Sequence, residues 1–88
     1  RFFDPARAGI DVVLTDGRLG VKGVAKDNPF ARAGVRPGDG VLAVDGTDVA
    51  SVESFRKLLR RAVATQSEVS LKVRRDGEVR SFNVPLRD

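Results

Sequence analysis

The 88-residue chain contains no cysteine, histidine, methionine, tryptophan or tyrosine, and phenylalanine is its one aromatic residue type. Each absence removes a class of chemistry. Without cysteine there is no disulfide framework and no thiolate nucleophile, and the chain fits either side of a redox boundary. Without histidine or cysteine, neither a Ser–His nor a Cys–His triad can be assembled, and most zinc sites lose their ligands. Ser51, Ser54, Ser67, Ser70 and Ser81 have no imidazole to activate them. A Ser–Lys dyad through Lys57 or Lys72, or a carboxylate pair, is chemically conceivable, but no spacing points to one. Asp16, Asp45 and Asp76 each precede a glycine, where a turn accounts for them. The chain reads as non-catalytic, with no cofactor and no metal expected.

Longer features are missing as well. No apolar run is long enough to span a membrane, and neither a signal peptide nor an initiator methionine is legible, so the chain reads as a module cut from a longer protein. There is no internal repeat, linker or low-complexity tract. Sixteen basic and twelve acidic residues give a formal charge of +4, but they interleave from end to end and no basic run exceeds two. A solvated mixed-charge surface explains that balance, and nucleic acid is not an expected partner. The length bounds one domain, residues 1–88, with a leading segment 1–7 and a folded core 8–86. Such a chain buries somewhat over about 60% of its unfolded surface.

What the chain does contain is concentrated between Lys26 and Gly46. Asn28 is a good helix N-cap, and Pro29 suits the first helical position because its missing N–H would be unpaired there anyway. Phe30 to Ala33 make about one turn of helix. Gly34 stops it, since glycine enters the left-handed region without a Cβ penalty. Val35 packs back, Arg36-Pro37-Gly38-Asp39 reads as a turn, and Gly40 to Val44 as a short apolar strand closed by Asp45-Gly46.

These residues resemble the central signature of PDZ domains, in the form attached to bacterial proteases. The resemblance rests on Asn28-Pro29, Ala33-Gly34-Val35, Pro37-Gly38-Asp39, Val41-Leu42 and Val44-Asp45-Gly46. Asn28 stands for the usual serine, Phe30 for alanine, Val41 for isoleucine and Asp45 for asparagine.

The flanking segments read as strands and one long helix. Asp11 to Leu14 and Leu19 to Ala25 pair around Thr15-Asp16-Gly17-Arg18. Asp48-Val49 makes one short bridge. Ser51 caps a helix from Val52 to about Ala64, with Glu53 in its first turn. Its apolar residues fill an arc of about 140°. Phe55, Leu58 and Ala62 take the half expected to face the core; Val52, Leu59 and Val63 take the half free to face a groove. Glu68 to Arg74 and Val79 to Leu86 form a last hairpin around Asp76-Gly77, which places Leu71 opposite Phe82 and Val69 opposite Val84. Phe2 and Phe3 are expected to cover an edge of the core.

The fold class expected is α+β: a small, partly open PDZ-like β-barrel or sandwich of five to six strands with one short and one long helix. Residues 1–7 cannot supply the N-terminal strand of eukaryotic PDZ domains. The closing strand Val79–Leu86 is free to take that place, as in the circularly permuted bacterial arrangement, and is then an inner part of the sheet.

The resemblance implies a site. A PDZ domain binds an extended peptide, usually a free C-terminus, as an added strand beside its long helix, with the carboxylate in a nest of backbone N–H groups. Residue by residue, the nest maps to Ala8-Gly9-Ile10, and Ala8 is smaller than the usual leucine or aromatic. A rival nest at Leu19-Gly20-Val21 leaves too few residues for two strands before Asn28-Pro29. The strand wall maps to Ile10, Asp11 and Val12, with Ile10 and Val12 pointing into the groove. The helix wall maps to Val52, Arg56 and Leu59, though Val52 and Leu59 also fit plain core positions. Val52 stands where many eukaryotic domains carry a histidine, which implies an apolar preference two residues before the ligand's end. Arg56 and Arg60 fall beside this wall.

The reading is a peptide-binding module that captures a free apolar C-terminus or an unfolded segment between strand 10–14 and helix 52–64. By the resemblance it serves an attached protease domain of the HtrA, carboxyl-terminal processing or site-2 type. The implied setting is extracytoplasmic, periplasmic or membrane-associated, with any membrane tether outside this segment. The alternatives are a scaffold domain that docks a folded partner in a secretion or envelope complex, and an intramolecular regulator whose groove is closed by its own neighbours.

Overall fold

Three Asp-Gly steps organise the computed structural model, which describes residues 9–86. Strands β1 (Ile10–Thr15) and β2 (Arg18–Val24) meet through Asp16-Gly17, β3 (Gly40–Val44) and β4 (Thr47–Asp48) through Asp45-Gly46, and β5 (Glu68–Arg75) and β6 (Glu78–Pro85) through Asp76-Gly77. Both residues of every step have positive φ, from 49° at Asp45 to 80° at Gly46. That is the turn whose twist matches its flanking strands, and aspartate and glycine reach it at low cost. Asp45 is held further by its own side chain, which accepts from the Ser70 N–H and from Gln66 Nε2, each at 2.8 Å.

The strands form one antiparallel sheet in the order β1-β2-β3-β5-β6, with β4 added to β3. The last hairpin has the expected register, Leu71 opposite Phe82 and Val69 opposite Val84. One expectation is corrected here. β6 is an edge strand, paired among the described residues with β5 alone, and not an inner part of the sheet. Val84 and the following Leu86 lie in the core and Phe82 is half-buried, with α1 (Pro29–Ala33) packed on the strand and Gly34 against the Phe82 ring, while the other side chains of β6 are exposed. Residues 1–8, including Phe2, Phe3 and Ala8, lie outside the described part of the chain.

The central stretch folds as its residues dictate. The Asn28 side chain accepts from the Ala31 N–H at 2.8 Å, and Gly34 ends the turn at φ 110°. Asp39 is buried yet fully satisfied. It accepts from the Arg36 N–H at 2.9 Å and from two nitrogens of Arg75 at 2.8 and 2.7 Å; Arg75 donates as well to the Gly34 carbonyl at 2.7 Å. Burial alone raises the Asp39 carboxyl, but the Arg75 and Arg36 hydrogen bonds and the charges of both cations outweigh it and hold the group below its usual value. One ion pair thus fastens β5 to the turn that precedes β3.

Helix α2 (Val52–Thr65) starts at a reciprocal serine cap, in which Ser51 Oγ accepts from the Ser54 N–H at 3.0 Å and the Ser51 N–H donates to Ser54 Oγ at 3.3 Å. Its buried residues are Phe55, Leu59, Ala62 and Val63, whereas Leu58 and Val52 are half-buried. The division of its apolar arc is therefore not the one expected from the wheel. Phe55 and Leu59 form a single inward stripe over Phe30, Val44, Leu71 and the rest of the core.

Candidate functional site

β1 is the other edge of the sheet, bonded among the described residues to β2 only. An edge strand presents a row of unpaired N–H and C=O groups, a template for another strand. Alongside it runs α2, and between the two lies a cavity of about 620 Å³.

The cavity brings together Gly9, Ile10, Asp11 and Val12 from the strand side with Arg56 and Leu59 from the helix, six of the eight residues mapped from sequence. Ala8 lies outside the described residues. Val52 is not on the cavity wall: it sits on the correct side of the helix, but seven residues before Leu59, which is about 10 Å further along the axis. Val12 and Leu59 are buried, so they form the floor, while Ile10 is half-buried and Asp11 and Arg56 are exposed at the rim.

Sequence reasoning missed Phe55, Gly23, Val24 and Ala25, which also line the cavity. Phe55, expected at the core, serves both core and groove. The β2 residues follow from hairpin register, but a bulge between Asp11 and Val12 shifts the pairing so that Ile10 lies opposite Val24 and Asp11 opposite Gly23. A two-residue turn by itself gives no sign of that shift.

Gly9 is the tightest point. Its φ is +67°, its carbonyl accepts from the Ala25 N–H at 2.5 Å, and a Cβ added there would overlap the Cβ of Ala25. Both the backbone and the space demand glycine. The chain thus makes a left-handed step as it enters β1, the kind of step that turns successive amides toward one point.

The rim charges are asymmetric. Arg56 and Arg60 line the helix side and have no ion-pair partner among the described residues; Asp11 is the one acid on the wall. The two arginines are four apart on one helix face, a like-charge spacing unfavourable by about 0.2–0.5 kcal/mol.

A profile of the PDZ domain family matches residues 6–86. The chain belongs to the PDZ domain family. Among curated relatives, this PDZ domain is 44% identical over 62 residues to a DegP-like periplasmic serine endoprotease of Halomonas elongata, covering 70% of the chain and 13% of that protein. It is 41% identical over 79 residues to the magnetosome formation protease MamE of Paramagnetospirillum magneticum, covering 89% of the chain and 11% of that protein. Among solved structures, the HtrA3 PDZ domain bound to a phage-derived ligand, FGRWV, superposes with a TM-score of 0.73 at 26% identity, over 90% of this chain and 82% of that one. The chain therefore spans about an eighth of the curated relatives it matches. As a PDZ domain it is a non-catalytic protein-interaction module of a kind carried by proteases.

Proposed function

We propose that this PDZ domain captures the free, apolar C-terminus of a polypeptide, laid as an added strand between β1 and α2. The observation that carries this reading is the outer edge of β1, unpaired among the described residues, beside a cavity floored by Val12, Phe55 and Leu59. Main-chain bonds to β1 supply affinity that is blind to sequence, and the apolar floor takes alternate side chains. Amides around Gly9 receive the terminal carboxylate. Arg56 and Arg60 rim the same cavity and favour acidic ligand residues by weak pairs of about 0.2–1 kcal/mol each, screened by salt.

In the whole protein the module presents or senses unfolded or misplaced polypeptide for a protease domain in cis, in an extracytoplasmic setting. The periplasmic and magnetosome proteases among its relatives support that placement.

The test is calorimetric titration with one peptide ending in valine, as the free acid and as the amide. The acid should bind and the amide should lose most of the affinity. Equal affinities would replace this reading with docking that does not read a C-terminus. Retained free-acid binding by Arg56→Glu, with a lost preference for acidic over basic peptides, would separate the rim charges from the capture itself.

A further inference from the structure

A second cleft, of about 820 Å³, shares no lining residue with the groove. It lies on the outer face of the sheet. Val69, Leu71 and Val73 of β5 turn into the core, so Lys72 and Arg74 between and beyond them project outward, and both line the cleft.

Gly20 and Gly40 lie in this cleft and face each other where β2 meets β3. Neither has positive φ. A Cβ on Gly20 would meet nothing nearer than the Asp39 carbonyl oxygen at 3.6 Å, and one on Gly40 nothing nearer than that of Arg74 at 3.7 Å. Those are ordinary contacts, so neither backbone conformation nor internal packing calls for glycine at either place. A glycine inside a strand weakens it; Gly40 stands next to the register irregularity between Val41 and Ala43, while Gly20 leaves bare floor on which another backbone can approach closely.

The walls say what would approach. Arg18, Lys72 and Arg74 are exposed and have no ion-pair partner among the described residues, against a single lining acid, Asp48. Beside them Val79 is 51% exposed and Leu42 half-buried, an aliphatic strip within the cationic rim. No aromatic side chain lines the cleft, so bases would find nothing to stack on.

We propose that this cleft is a second docking site, for an extended segment of a partner polypeptide in which acidic and aliphatic residues alternate. The segment's backbone crosses the bare Gly20–Gly40 floor, its aliphatic side chains rest on Val79 and Leu42, and its carboxylates meet Arg18, Lys72 and Arg74. This site works independently of the groove and of what the groove binds.

The test is an NMR titration of the 15N-labelled 88-residue chain with an N-acetylated, C-amidated hexapeptide of alternating Glu and Val. Its amide end keeps it from acting as a free C-terminus. Saturable shifts are expected at Gly20, Gly40, Lys72 and Arg74 and not at Ile10 or Leu59, weakening several-fold with added salt. The double variant Arg18→Glu/Arg74→Glu should abolish them. Gly20→Ala should keep the native spectrum and bind several-fold more weakly. Shifts confined to the groove would overturn the proposal, as would equal binding of a Lys–Val peptide or wild-type affinity in Gly20→Ala. A single-stranded oligonucleotide binding the cleft more tightly than the peptide would overturn it in favour of nucleic acid.

Discussion

Single residues decide this domain where they have no freedom. Gly9 and Gly17 have similar backbones, φ +67° and +77°, but only Gly9 is crowded. Gly17→Ala should cost about 1–2 kcal/mol for the left-handed conformation and leave peptide affinity unchanged. Gly9→Ala carries the same strain plus the overlap with Ala25, so it should lose more stability and at least most of the binding. Paired melts and titrations check this, and equal loss of binding in both variants would remove Gly9 from the site. Asp39 sets a pH dependence. Its folded value is held below an unfolded one of about 4, so its contribution is present above pH 4 and is lost as pH falls through the folded value. Asp39→Asn should destabilise the domain at neutral pH by removing the ion pair with Arg75. The gap between the two melting curves should narrow below pH 4, and a gap constant with pH would show that Asp39 acts through packing alone.

At the scale of elements, the sequence was most legible where one residue type has one physical use. Asp-Gly steps, the Asn28-Pro29 start, the Gly34 stop and the Ser51 cap all stand where local chemistry put them. Legibility failed where tertiary geometry decides. The wheel of α2 sets Phe55 and Leu59 on opposite halves of the apolar arc, yet both lie on the one stripe that meets the core and the groove. The bulge in β1–β2 has no local signal, so the contribution of Val24 and Ala25 to the site was missed. β6 is expected inside the sheet because it is free to take the place of an N-terminal strand, yet among the described residues it pairs with β5 alone. Its edge position does not make it dispensable. Val84 and Leu86 are buried, each worth about 1.5–3 kcal/mol, in a domain whose total is about 5–15 kcal/mol. Truncation after Asp76 should leave no cooperative thermal transition by circular dichroism; a melt near that of the full chain would show the strand to be accessory.

Across the whole molecule, the strand pairs are unequal. β5 is zipped along its length to β6 and over several residues to β3, whereas β2 meets β3 in the ladder at Gly20 and Gly40 alone. Two further bonds flank that junction, Val21 N–H to the Asp39 carbonyl and Gly38 N–H to that of Val21, each 2.8 Å. The β1–β2 hairpin is thus a panel hung from the rest of the sheet by a narrow seam, and one wall of the groove is that panel. Cooperative opening follows the weakest seam. Native-state hydrogen exchange should find β1 and β2 amides exchanging through a sub-global opening at lower free energy than those of Val69, Leu71 and Val73; uniform protection across both groups would show the seam to be as strong as the zipper. A bound strand that bridges β1 to α2 closes this opening from the far side. Ligand then registers as slowed exchange throughout the hairpin, out to Asp16-Gly17, well beyond the residues it touches.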